Sequence, residues 1–139
     1  MTSSTPGTGA TPRAVVAGHG DFAAGVISAV QQIVGSGNVF CGVNNAALDA
    51  VGLEHAIANA VSDSHATVVF TDLPGGSCTI AARRVARASP GLAVVTGANL
   101  AMLLDFALNG TAAAAAEHAA EKGRAAIVVV ERTEDVRAH

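Results

Sequence analysis

From Arg13 onward, short apolar runs alternate with helical stretches. This alternation predicts an α/β domain, a doubly wound, mostly parallel four-stranded sheet flanked by helices. Two further observations agree. The run Val68, Val69, Phe70 is apolar at consecutive positions and rich in β-branched neighbours, which marks a strand buried on both faces. Turn-forming clusters at Gly35-Ser36-Gly37, Pro74-Gly75-Gly76-Ser77, Ser89-Pro90-Gly91 and Asn109-Gly110 punctuate the chain at the spacing such units require. At 139 residues, half of them hydrophobic, the chain is one domain long and has enough apolar side chain for a sizeable core.

The first strand is expected at residues 14–17. The helix after it places Phe22, Val26, Val30 and Ile33 on one face, before Gly35-Ser36-Gly37 ends it. A second strand spans about 39–43, and a weaker helix follows with Leu53, Ile57 and Val61 at intervals of four. The third strand, 67–71, is central and leads into Asp72-Leu73-Pro74-Gly75-Gly76-Ser77, with Ser77 as N-cap of a helix over about 78–88. A fourth strand covers 92–96, and a short helix runs through Met102, Leu103 and Phe106. An alanine-rich helix then continues to about Lys122, and a last strand is expected at 126–130. Because an apolar final strand cannot safely remain an open edge, it is expected to be exchanged or paired across a dimer. Residues 1–12, rich in Ser, Thr, Gly and Pro, read as a disordered leader, 13–131 as the folded domain and 132–139 as a charged tail.

Composition narrows the function classes. A net charge of −3, no Trp or Tyr and only four Phe argue against nucleic-acid binding. No apolar run reaches the roughly 18 residues of a membrane span, and the N-terminus lacks the pattern of a signal peptide, so a cytoplasmic location is expected. The two cysteines, Cys41 and Cys78, fit no zinc or redox-pair spacing and are read as reduced thiols. No cofactor or metal site is expected.

The chemistry concentrates at two strand ends. His19 lies between Gly18 and Gly20 at the mouth of the first strand, where little side chain shields it. If the first strand is internal, with the second on one side and the third on the other, the winding reverses there and the crevice gathers His19 with Asp72. A carboxylate accepting from one imidazole nitrogen leaves the other as a nucleophile, so His19 and Asp72 are the candidate catalytic pair. The turn Gly75, Gly76, Ser77, Cys78 at a helix N-terminus is the candidate phosphate cradle, through backbone N–H groups and the Ser77 hydroxyl. Each residue also has a purely structural reading: His19 as a surface side chain, Asp72 as a turn acceptor, Ser77 as a cap. Three such coincidences at one crevice favour a functional site. His55, His65, His118 and His139 read as solvated, and Arg83, Arg84 and Arg87 as a solvent face or the rim of a docking surface.

Three blocks in this order resemble the IIA component of the mannose family of bacterial sugar phosphotransferase systems, in particular its amino-sugar branch. They are Gly18-His19-Gly20-Asp21-Phe22-Ala23-Ala24-Gly25, then Thr71-Asp72-Leu73-Pro74-Gly75-Gly76-Ser77, then Val95-Thr96-Gly97-Ala98-Asn99-Leu100-Ala101-Met102-Leu103-Leu104. The resemblance extends over 13–131. It implies that His19 accepts a phosphoryl group from the histidine phosphocarrier HPr and passes it to a IIB component, serving IIC and IID membrane components indirectly. It also implies that Asp72 orients His19, that Ser77 contacts phosphate, and that the protein is a homodimer paired through 126–130. Cys78 and Ala101 stand where many members of the family carry proline.

Three other readings compete. One is the phosphotransferase subunit of a dihydroxyacetone kinase, which shares the phosphohistidine logic, although Gly18-His19-Gly20 followed by Phe22 looks more like the sugar branch. Another is a cysteine hydrolase built from Cys78, His19 and Asp72, and it requires a reactive thiolate at Cys78. The third is a regulatory module that senses phosphoryl flux without transport.

Overall fold

The computed structural model describes residues 11–45 and 48–134. Its first strand, β1 (Ala14–His19), runs two residues further than the apolar pattern suggests, so that His19 is still hydrogen-bonded into the sheet when its side chain reaches the surface. Along β1 the side chains alternate between two cores. Ala14 and Val16 join one, and Val15 and Ala17 the other. This division is the physical content of the doubly wound reading, since a strand apolar at every position must be covered on both sides.

Helix α1 (Phe22–Val34) returns the chain along the first face and ends at Gly35, whose φ of 69° is the left-handed cap that glycine tolerates. Its buried positions are Ala23 and Val30. Ile33, expected on that face, is 56% exposed, because the stripe passes through Ala23, Val26, Ile27, Val30 and Val34 instead. A 3₁₀ turn, Gly37–Val39, takes up the residue expected to open the next strand, and β2 occupies Phe40–Asn45. Helix α2 (Ala50–Ser64) is capped by Asp49, whose carboxylate accepts from the Gly52 N–H at 2.7 Å. Leu53, Ile57 and Ala60 are its buried residues, with Val61 at the margin.

Strand β3 (Val68–Thr71) is buried at every position. Helix α3 (Ser77–Arg87) then crosses to β4 (Ala93–Val95), and α4 (Leu100–Asn109) and α5 (Ala115–Ala125) complete the fold. All neighbouring strands are parallel, in the order β2-β1-β3-β4. Helices α2 and α3 cover one face through Leu53, Ile57, Ala81, Ala82 and Val85, while α1, α4 and α5 cover the other. On the second face Phe70 of β3 packs edge-on against Phe106 of α4 at 5.3 Å between centroids, with Phe40 of β2 beside both. Asn99 caps α4 by accepting from Met102, and its amide donates to the Gly123 carbonyl, which ties α4 to α5.

In the single chain residues 126–130 form no strand; the partner expected for them is a second copy. Ile127, Val128, Val129 and Val130 are 66–90% exposed, because after α5 no edge of the chain's own sheet receives them. Two expectations are corrected. His118 is not simply solvated: its Nδ1 lies 2.8 Å from Oδ2 of the buried Asp105, whose other oxygen accepts from Asn109. Pro12, assigned to the leader, is half-buried near Gly110, where an added Cβ would come within 2.5 Å of it. Residues 1–10 of that leader, 135–139 of the charged tail, and His139 lie outside the described residues. His55 and His65 are exposed as expected, as are Arg83, Arg84 and Arg87.

Candidate functional site

Because β1 and β3 are adjacent and parallel, their carboxyl ends bring His19 and Asp72 together across the sheet. The Asp72 carboxylate is 12% exposed and the imidazole 49% exposed. A single oxygen, Asp72 Oδ2, accepts from the His19 backbone N–H at 2.9 Å and lies 2.8 Å from the imidazole Nδ1. A carboxylate only accepts, so Nδ1 carries the proton and Nε2 keeps its lone pair. Burial raises the Asp72 pKa, but the backbone and side-chain hydrogen bonds from His19 outweigh it and leave the carboxyl below its ordinary value of 3.8. The carboxylate is therefore ionised throughout the neutral range.

Two glycines make this approach possible. At Gly76 a Cβ would sit 3.1 Å from His19 Cε1, so the absence of a side chain lets the loop pass against the ring. At Gly18 a Cβ would meet Phe22 Cδ2 at 2.6 Å, so this glycine admits the first residue of α1 close to the strand. Beneath the loop, the buried Thr79 hydroxyl donates to the Leu73 carbonyl at 2.6 Å and lies 2.5 Å from the Thr71 hydroxyl. The loop carrying Asp72 is thus anchored from below by the hydroxyls of two buried threonines.

Ser77 was expected to cap α3. Gly76 is the cap, with φ −77° and ψ 163° and no side-chain bond, and Ser77 is the first helical residue. Its exposed hydroxyl accepts instead from Asn45 Nδ2 at 2.6 Å. Asn45 sits at the end of β2 in register with His19, a neighbour the sequence reading missed. The only signal was a polar residue at the carboxyl end of the strand beside the first. Among the proposed cradle residues, Gly75 faces open space, where an added Cβ would meet no atom within 4 Å, and the Gly76 N–H is taken by the Leu73 carbonyl at 3.3 Å. Ser77, Cys78 and Thr79 open the helix, where backbone N–H groups have no acceptor one turn back. The Cys78 thiol is fully buried, and burial together with the nearby Asp72 charge pushes its pKa up to about 11. This is the opposite of an activated nucleophile, and it removes the main support for a cysteine hydrolase.

Among the described residues His19 stands on an open rim, its side chain 49% exposed. Concavities of about 460 Å³ and about 400 Å³ lie elsewhere, the first around Arg13, Thr67 and Gly110 and the second around Asn109, His118 and Glu121. Among the described residues no group of three His, Cys, Asp or Glu is arranged to hold a metal ion, and no helix is long and apolar enough to cross a membrane.

The family model EIIA-man, described as PTS system fructose IIA component, matches residues 13–128. Among solved structures, the mannose/sorbose-specific IIA subunit of the phosphotransferase system from Enterococcus faecalis is similar over 91% of this chain and 100% of its own, at 22% identity and a TM-score of 0.72. A phosphotransferase-system EIIA from Streptococcus agalactiae is similar over 84% and 95% at 23% identity and a TM-score of 0.72. The IIA protein associated with the fucose utilization operon of Streptococcus pneumoniae is similar over 86% and 93% at 23% identity and a TM-score of 0.73. None of the curated proteins compared with the chain matches it.

Proposed function

The chain belongs to the EIIA-man family of phosphotransferase-system IIA components, and from that premise we propose that it is a phosphoryl carrier working through His19. The donor is phospho-HPr and the acceptor a IIB component, which in turn serves IIC and IID membrane components in sugar uptake. The observation that carries this reading is the Asp72 Oδ2 contact to Nδ1 at 2.8 Å, which leaves Nε2 as a nucleophile at an open surface. In the reaction the Nε2 lone pair forms the new N–P bond. The bond from phosphorus to the donor's histidine breaks, and its electron pair leaves with that imidazole. The Nδ1 proton stays on the ring, held by Asp72, and its carboxylate offsets the positive charge the ring acquires. Transfer to the IIB component runs the same exchange in reverse.

The phosphoryl oxygens bring about two negative charges, and the N-terminal turn of α3 and the Ser77 hydroxyl are the groups at hand to receive them. A half-exposed histidine on a rim suits a protein donor, which must bring its own phosphohistidine to the surface. We assign the amino-sugar branch from the three sequence blocks. We also propose a cytoplasmic homodimer in which 126–130 pairs with a second copy, since four consecutive apolar side chains there are exposed in the isolated chain.

The test is mass spectrometry after incubation with phosphoenolpyruvate, the first phosphotransferase enzyme and HPr. One acid-labile phosphate on His19 is expected, and none in His19→Ala of unchanged fold. Labelling of His19→Ala at a level comparable to wild type would refute the assignment.

A further inference from the structure

We propose that Asn45 is a positioning residue for the phosphoryl group, acting through Ser77; the inference rests on the carrier role of His19. A serine hydroxyl has one proton to donate and two lone pairs to accept with. Asn45 Nδ2 donates into one of those lone pairs at 2.6 Å. The Ser77 proton is thereby excluded from the Asn45 side and left free to donate elsewhere. The side left free belongs to the same rim: Asn45 and His19 are register partners at the ends of adjacent strands, and Ser77 follows directly on Gly76, which lies against the His19 ring. Asn45 also presents a donor on an otherwise exposed rim, where a carboxylate would bring a charge of the wrong sign.

This arrangement uses three elements that are remote in sequence. β1 supplies the acceptor nitrogen, α3 the hydroxyl and β2 the amide that orients it. Ser77 makes no capping bond that would compete, because the cap position belongs to Gly76. The hydroxyl is thus committed to Asn45 as acceptor and available to the phosphoryl group as donor, a polarity that strengthens both bonds.

A double-substitution cycle on the full chain tests this, with the rate of phosphoryl acceptance from phospho-HPr as the readout and the melting temperature as control. Asn45→Ala is expected to slow acceptance roughly fivefold to tenfold, less than Ser77→Ala, because it loosens a hydrogen bond to a charged group without removing it. In the Ser77→Ala background, Asn45→Ala should change the rate by less than about twofold, since its only route of action is gone. Asn45→Asp should be slower than Asn45→Ala, because a carboxylate accepts the Ser77 proton and adds negative charge at the rim. Multiplicative effects of the two alanine substitutions, or a wild-type rate in Asn45→Asp, would overturn the role of Asn45 while the carrier reading stands. Absence of label on wild-type His19 would instead defeat the carrier reading, and the Asn45 role with it.

Discussion

Asp72 Oδ2 receives both the backbone N–H and the imidazole N–H of His19, so one atom fixes where the residue sits and which nitrogen keeps its lone pair. Asp72→Asn retains a carbonyl for the backbone N–H but can turn an N–H toward the ring, which favours the wrong tautomer. Phosphoryl acceptance is expected to fall roughly 10- to 100-fold, the usual cost of losing an orienting partner, with little change in fold. The same pair sets an acid limit on stability. The folded carboxyl lies below its ordinary 3.8, so its contribution is present above that value and is lost as the pH falls through the lower, folded one. Denaturant midpoints measured against pH should show the advantage of wild type over Asp72→Asn holding near neutrality and shrinking below pH 3.8. Unchanged rates together with parallel pH curves would remove Asp72 from the site. His19 and Asp72 were legible because strand ends and glycine flanks are local signals. Asn45 was not, since its partnership with Ser77 depends on the register of β2 against β1, which no local pattern encodes.

At the scale of the elements, the glycines divide into two kinds of work. Gly18→Ala drives a methyl to 2.6 Å from the Phe22 ring, and α1 must shift on its strand. Such overpacking costs about 1–3 kcal/mol and should appear as a lowered melting temperature. Gly76→Ala places its methyl 3.1 Å from His19 Cε1, a contact relieved by a small movement of a half-exposed ring. Here the melting temperature should hold and the transfer rate should drop. The reverse pattern, a destabilised Gly76→Ala with normal transfer per folded molecule, would show that the ring does not depend on this close approach. Element order was readable throughout, because buried parallel strands and amphipathic helices carry different periods. Boundaries were less so. β1 gained two residues and β4 lost its ends, since sheet hydrogen bonds and not hydropathy decide where a strand stops. The apolar run 126–130 is expected as a strand against a second copy, and within the described residues of one chain it pairs with no strand.

For the molecule as a whole, that unpartnered run is the main unfinished surface. Sedimentation of the full chain is expected to give a dimer, and removal of 126–139 to abolish it and promote aggregation, because the β4 edge and its flanking groove then stay uncovered. A well-behaved full-length monomer would count against this. The doubly wound topology itself was readable from composition and punctuation, since right-handed crossovers leave few other arrangements. The rim position of His19 bears on how such a protein can be saturated or blocked. Because the ring stands half-exposed on the rim, in the proposed carrier role transfer follows the collision frequency of two proteins and rises with the concentration of either. An inhibitor for this surface has to resemble a protein face, broad and shallow, and steering by charge and ionic strength becomes the natural control on flux.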